Sequence, residues 1–291
     1  MNSTRQSSQS KLAESAAIAS ISTALVLTLL KLFAWVDEES VSILASFTDS
    51  LIDICASVVS FIAIKVAYTP ADEDHQFGHG KAESLSALMQ AAFIIGSAVM
   101  LSVQAVERLL KPQDMESFQL SIGVMLASIV LTLILITYQR WVAKKTGSLA
   151  VAADSAHYVG DILANIAVLA ALAGVYLGWI WLDPVVALVI VLILLKSAYE
   201  IASEALVMLM DQALPVEDAD KIKEVVSSVE GVKGIHDLKT RKSGQTEFVQ
   251  LHVEMDANLF LKDAHDLGDT IEGEVKKTFP NAEIIIHHDP V

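Results

Sequence analysis

Long apolar runs bounded by charged residues set the pattern of this chain. Residues 84–106 (SLSALMQAAFIIGSAVMLSVQAV) carry no charge, and neither do 117–139 (SFQLSIGVMLASIVLTLILITYQ) or 162–182 (ILANIAVLAALAGVYLGWIWL). Each reaches the roughly 20 helical residues that cross about 30 Å of hydrocarbon. Two shorter runs, 15–30 and 184–195, extend past one lysine each, Lys31 and Lys196, which can snorkel or pair. A further run, 41–64, is apolar except for Asp49 and Asp53. The pattern predicts six transmembrane helices, at about 14–36, 41–67, 84–108, 117–140, 149–179 and 184–208. The polar start, MNSTRQSSQS, is no signal peptide and is expected to be disordered.

From about Pro215 the pattern changes to short, mixed segments. Residues 217–229 have helical periodicity with acids in the first turn. Strands are predicted at 233–242 and 246–257 around a Ser243-Gly244 turn, a second helix at 261–278 and a third strand at 281–289. The order αββαβ predicts a small α+β domain of ferredoxin or metallochaperone type, with helices on one sheet face. The division expected is a polar tail (1–13), a six-helix membrane domain (14–210) and a cytosolic domain (211–291). In FVQLHVEM, Val249, Leu251, Val253 and Met255 should meet the helices, and Phe248, Gln250, His252 and Glu254 should face away.

Composition agrees with a membrane protein: 53% of residues are hydrophobic and mean hydropathy is +0.51. A formal net charge of −15 argues against nucleic acid as a partner and suits a protein that handles cations. One cysteine, Cys55, excludes an intrachain disulfide; two residues beyond Asp53 it falls off the aspartate face and is expected to be a packed, inert thiol. Arg5, Lys11, Lys81, Arg140, Lys144 and Lys145 flank one side of the spans, and only Arg108 and Lys111 the other. Both termini are therefore expected on the cytoplasmic side.

Candidate chemistry begins with acids inside the spans. Asp49 and Asp53 are four residues apart, so they share a helix face; His157 and Asp161 repeat that spacing in the fifth span. At about 1.5 Å per residue, Asp49 and Asp53 lie roughly 12 and 18 Å below the outer surface, and His157 and Asp161 roughly 17 and 10 Å. Three carboxylates and an imidazole at matching depth suit a tetrahedral divalent ion, Zn²⁺ above all. The alternative is an acid pair hydrogen-bonded to a neighbouring helix, although ionisable groups within membranes are functional by default.

The inner loop TPADEDHQFGHGKAE brings Asp72, His75 and His79 into local metal-ligand spacing, or forms a solvated acidic loop. The last domain holds His236, His252, His265, His287, His288 and Asp289, which either converge or stay solvated. The sequence contains no HExxH, no P-loop and no nucleophile with a base. A four-ligand site would also leave no open metal position for hydrolysis, so no enzyme is expected.

ASFTDSLIDICAS, DHQFGHGKAE, ADSAHYVGD and the ending EIIIHHDPV together resemble the cation diffusion facilitator family over nearly the whole chain. The resemblance implies a proton-coupled divalent metal exporter, working as a homodimer in a bacterial inner membrane, with zinc foremost; the donor set leaves Cd²⁺ and Fe²⁺ open beside it. It implies a transport site of Asp49, Asp53, His157 and Asp161, and a loop site of Asp72, His75 and His79. It implies a binuclear cytosolic site of His236, His252, His265, His287 and Asp289, without His288, and a charge interlock of Lys81 with Asp211 between subunits. One departure is Ala156, where the family has a bulky apolar residue before the transport-site histidine; the resemblance then implies a weaker gate, or another side chain in that space. A membrane-anchored zinc sensor, using the cytosolic histidines, is the alternative function.

Overall fold

The structure, a computed structural model, describes residues 2–38, 41–110, 119–177 and 182–291. Six long helices come first: α1 (Asn2–Glu38), α2 (Val41–Ala67), α3 (Ala82–Leu110), α4 (Gln119–Thr146), α5 (Leu149–Leu177) and α6 (Leu182–Leu209). Among the described residues, α1, α2, α3, α4 and α6 contain segments long and apolar enough to cross a membrane. The remaining helix, α5, has 29 residues and packs against α3, α4 and α6. Small residues line the contacts: Ala87, Ala91, Ala98, Ala153, Ala167, Ala198 and Ala205 are all buried. Small side chains let helix backbones approach, the main source of packing energy where lipid is as apolar as the protein. Leu29, Phe33, Val103, Ile134, Leu188 and Leu192 face outward, as a hydrocarbon solvent allows.

Two expectations need correction. The polar start is helical: α1 begins at Asn2, and Leu12, Ala13, Ala16 and Ala17 pack with Ile64, Val142, Ala150 and Val151. That packing anchors the inner end of α1, and the polar residues continue the helix past it. Cys55 is exposed rather than packed. It belongs to an outward stripe of α2 with Leu51, Ile52, Ile62 and Val66.

The cytosolic domain comprises α7 (Val216–Ser227), β1 (Gly234–Ser243), β2 (Thr246–Met255), α8 (Leu261–Thr278) and β3 (Ala282–Pro290). β1 and β2 form an antiparallel hairpin; α8 crosses over to bring β3 parallel to β2, giving sheet order β1-β2-β3. Val249, Leu251, Val253 and Met255 meet Ile222, Val226, Ile271 and Val275 in the core. His252 and Glu254 lie on the opposite face as expected. Phe248 also does, yet it is buried, because Phe77 of the inner loop stands edge-on to it and Arg241 lies over its ring.

The β1–β2 turn docks on the membrane domain. A side chain on Gly80 would put its Cβ 2.6 Å from the Ser243 carbonyl oxygen. Gly244, at φ +57, returns that contact against the Gly80 backbone. Gln245 lies against Gly147, in the turn between α4 and α5. The start of α5 therefore lies on the cytosolic-domain side.

Candidate metal-binding sites

Asp53 on α2 and His157 and Asp161 on α5 each offer a ligand atom within 4.8 Å of the others. His157 Nε2 stands 3.2 Å from Asp53 Oδ1. The i,i+4 spacing on α5 stacks imidazole and carboxylate along one face, and α2 supplies the opposing oxygen. His157 is only 3% exposed. Phe93 of α3 stands edge-on to its ring, 6.3 Å between centroids, and Tyr158 flanks it at 5.9 Å. Ala156 packs toward the α3–α6 cluster around Ala91, Ile94 and Leu194, so Phe93 is the bulky neighbour of the histidine. Asp49 lies outside the three-atom cluster and is exposed, one turn from Asp53. Lys31 does pair: its ammonium donates to Ser50 Oγ at 2.7 Å, within electrostatic reach of Asp49 and Asp161.

The inner loop draws Asp72, His75 and His79 into a second group. Asp72 Oδ1 accepts the His75 backbone N–H at 2.6 Å and the Asp74 N–H at 3.1 Å, an Asx turn that fixes the carboxylate. His75 Nδ1 and His79 Nε2 each lie 3.3 Å from its oxygens. The His75 N–H, followed by the His75 and His79 side chains, holds this carboxyl below its ordinary range.

The third group is a row across the cytosolic sheet. Strand register places His236 beside His252 and His252 beside His287, with ring centroids 4.9 and 4.4 Å apart. Asp289, two residues beyond His287 on the same face, has Oδ2 2.8 Å from His252 Nδ1 and 3.0 Å from His236 Nε2. Its Oδ1 is 3.3 Å from His287 Nε2. The hydrogen bond from His252, then the neighbouring imidazole charges, hold Asp289 below the ordinary carboxylate range. A bulge between His236 and Lys239, with Asp237 at φ +50, shifts the register beside His236. Three imidazoles around one carboxylate form a donor set that fits Zn²⁺. His265 is not in this row; it is exposed on α8, 3.8 Å from Asp269. His288 turns to the other face, against Gly268 of α8.

Lys81 Nζ lies 2.9 Å from Asp211 Oδ1 within the one chain, because the start of α3 and the end of α6 are neighbours. Arg241 of β1 shares the same oxygen at 3.2 Å, so the pair also ties the sheet to the membrane domain. The Lys81 hydrogen bond, then Arg241, hold Asp211 low.

Two further buried acids, Glu83 and Asp154, lie outside the three groups. Glu83 caps α5 from outside, accepting Ser148 Oγ at 2.7 Å and the Leu149 N–H at 3.0 Å. Asp154 accepts the side-chain amides of Gln90 and Gln139. Asp154 is three residues before His157 and seven before Asp161, so sequence spacing alone places it on the same face of α5 as those two residues.

Comparison with known proteins fits this architecture. The family described as "Cation efflux transmembrane domain" matches residues 17–210, and "Cation efflux protein, cytoplasmic domain" matches 214–291. The chain is 45% identical over 280 residues to the cation-efflux pump FieF of Salmonella arizonae, covering 96% of this chain and 93% of that one. The same figures hold for FieF of Salmonella typhimurium strain LT2. A solved chain of CzrB in its zinc form is 29% identical, covering 28% of this chain and 92% of that one, at a TM-score of 0.27. Two consecutive domain matches and identity along nearly the full length make the chain a cation efflux protein, a member of the cation diffusion facilitator family.

Proposed function

We propose that the protein exports Zn²⁺ from the cytosol in exchange for protons, as a homodimer in a bacterial inner membrane with both termini cytoplasmic. The observation that carries this reading is the buried convergence of Asp53, His157 and Asp161 between two long helices. Asp49, one turn away on α2, completes a tetrahedral set as the ion arrives. Imidazole favours zinc over magnesium or manganese, while Cd²⁺ and Fe²⁺ remain within range of these donors. Ligands must lose protons to bind metal, so binding and release exchange ion for proton at the same atoms. Rocking of helices around the site would alternate its access.

The loop group, Asp72, His75 and His79, offers a weaker exposed site on the cytosolic side. His236, His252, His287 and Asp289 would hold resident zinc in the cytosolic domain, and His265 would bind a second ion with ligands from beyond this row. Lys81 and Asp211, closed here within one chain, lie where a second subunit's charges could join them. The chain performs transport rather than bond chemistry. A zinc sensor, the alternative, needs the cytosolic row alone and predicts no flux.

The test is zinc flux into vesicles containing the purified protein, against an imposed pH gradient. Wild type should move zinc, and Asp53→Ala should abolish movement. Full proton-coupled flux in Asp53→Ala overturns the proposal.

A further inference from the structure

On the cytosolic-domain side, α4 ends in the sequence QRWVAKKT. Arg140, Lys144 and Lys145 fall in its last two turns, and the whole helix contains no acid. All three cations are exposed, and among the described residues none has an acidic partner. Elsewhere the chain pairs its lysines: Lys221, Lys223, Lys276 and Lys277 each meet an acid three or four residues away. Cations at inner helix ends fix topology in any membrane protein, so their position alone does not mark a ligand.

The face beneath these cations does. It is a shallow apolar groove lined by Leu133, Ile134, Thr137, Tyr138 and Trp141. Helical spacing resolves it into two parallel rows. One runs from Ile134 through Tyr138 and Trp141 to Lys145, and the other from Leu133 through Thr137 to Arg140 and Lys144. Each row rises roughly 16 Å along the axis before it reaches its last cation, about one leaflet of a hydrocarbon core about 30 Å thick. Polar atoms turn away from the groove. Thr137 Oγ1 donates to the Leu133 carbonyl at 2.8 Å, and the Tyr138 hydroxyl shares a 2.8 Å hydrogen bond with Ser15 Oγ of α1. Tyr138 stacks on Trp141 with 6.0 Å between centroids, and Lys145 Nζ lies 4.2 Å from the Trp141 ring centre. The groove therefore has an aromatic floor tied to α1, with an ammonium group at its cytosolic end.

We propose that this face of α4 binds an anionic phospholipid of the leaflet on the cytosolic-domain side. Its two acyl chains lie along the two rows, and its headgroup sits among Arg140, Lys144 and Lys145. The chain as a whole carries a formal charge of −15, so long-range electrostatics disfavours such a lipid and a preference for it must come from a local site. Guanidinium and ammonium groups supply both charge and donors to a phosphate. Indole packs well at headgroup depth, where one end of a side chain is dry and the other wet. Basic clusters just cytoplasmic of a span attract anionic headgroups; here they also cap an apolar seat of matching length. Binding at this face needs neither the metal cluster nor transport.

The experiment titrates the delipidated full chain in neutral detergent with dioleoyl phosphatidylglycerol or dioleoyl phosphatidylcholine and counts bound lipid by native mass spectrometry. Wild type should prefer phosphatidylglycerol by about thirtyfold or more, roughly fivefold for each cation engaged. Lys144→Gln with Lys145→Gln should remove about thirtyfold of phosphatidylglycerol affinity and leave phosphatidylcholine unchanged. Lys144→Arg with Lys145→Arg should keep the preference. Lys65→Gln with Lys262→Gln removes the same charge from the inner end of α2 and from α8, and should leave phosphatidylglycerol binding near wild type. Trp141→Ala, which keeps every cation, should weaken both lipids. Equal affinity of wild type for the two lipids, equal losses in the two glutamine double variants, or full binding in Trp141→Ala overturns the site.

Discussion

His157 Nε2 on α5 stands 3.2 Å from Asp53 Oδ1 on α2, although 104 residues separate them in the chain. This contact brings members of two i,i+4 pairs together and ranks them. Asp53, His157 and Asp161 converge, and Asp49 stands apart. Loss of groups that only orient metal ligands already costs about 10–100-fold in affinity. Asp53→Asn or Asp161→Asn should therefore weaken zinc binding by about 100-fold or more. Asp49→Asn should cost less. Calorimetric titration of the detergent-solubilised variants checks the ranking; equal losses at Asp49 and Asp53 would contradict it.

Metal binding in the cytosolic row should depend on pH through its histidines. Imidazoles must be neutral to bind metal, so protons compete with the ion for the same atoms. Zinc affinity there should fall as the solution is acidified. His236→Ala or Asp289→Ala should lower it at all pH values, and His265→Ala should leave the row's own affinity near wild type. Competition with a zinc-sensitive dye, in a background carrying Asp53→Ala, reads this site without the membrane cluster.

Glu83 is 2% exposed and accepts hydrogen bonds from the first turn of α5. Glu83→Ala would leave the Ser148 O–H hydrogen and the Leu149 N–H without an acceptor in a buried setting. A stability loss of about 1–3 kcal/mol is expected. Thermal unfolding in detergent measures it. Glu83→Gln, which keeps an acceptor, should recover part of the loss.

Asp211 is held below its ordinary pKa by Lys81 and then Arg241. A depressed carboxyl adds stability above its unfolded pKa, about 3.9, and loses it as pH falls through the folded value. The Asp211 contribution should thus be constant from pH 7 to about 5 and be lost progressively as pH falls below about 4. The group is substantially exposed, so the effect is small. Melting temperatures of wild type and Asp211→Asn should differ at pH 7 and converge toward pH 3.

Gly80 touches the Ser243 backbone so closely that any Cβ collides. Gly80→Ala should lift the β1–β2 turn from the membrane domain without unfolding either domain. Hydrogen exchange should then quicken at residues 243–246 while the core strand around Leu251 and Val253 keeps its protection.

Period and spacing made much of this architecture legible. The long apolar runs locate the six helices, alternation in FVQLHVEM assigns the sheet faces, and i,i+4 spacing pairs Asp49 with Asp53 and His157 with Asp161, of which Asp53, His157 and Asp161 converge and Asp49 does not. Contacts between distant segments left no such mark. Gln90 and Gln139 lie 64 and 15 residues from Asp154, and a glutamine in an apolar helix does not announce its partner. A helical wheel places Cys55 away from the aspartates, yet cannot say whether a neighbouring helix or the outside lies there. Alignment of His236, His252 and His287 depends on the parallel β2–β3 register, which the α8 crossover sets and local sequence does not.

In the proposed cycle one cluster, Asp53, His157 and Asp161, carries zinc one way and protons the other. The most direct measurement records zinc flux and internal pH together in the same vesicles, for wild type and His157→Ala. Wild type should show zinc movement coupled to opposite proton movement, with both lost in the variant. Zinc flux without proton movement, or both persisting in His157→Ala, would contradict it.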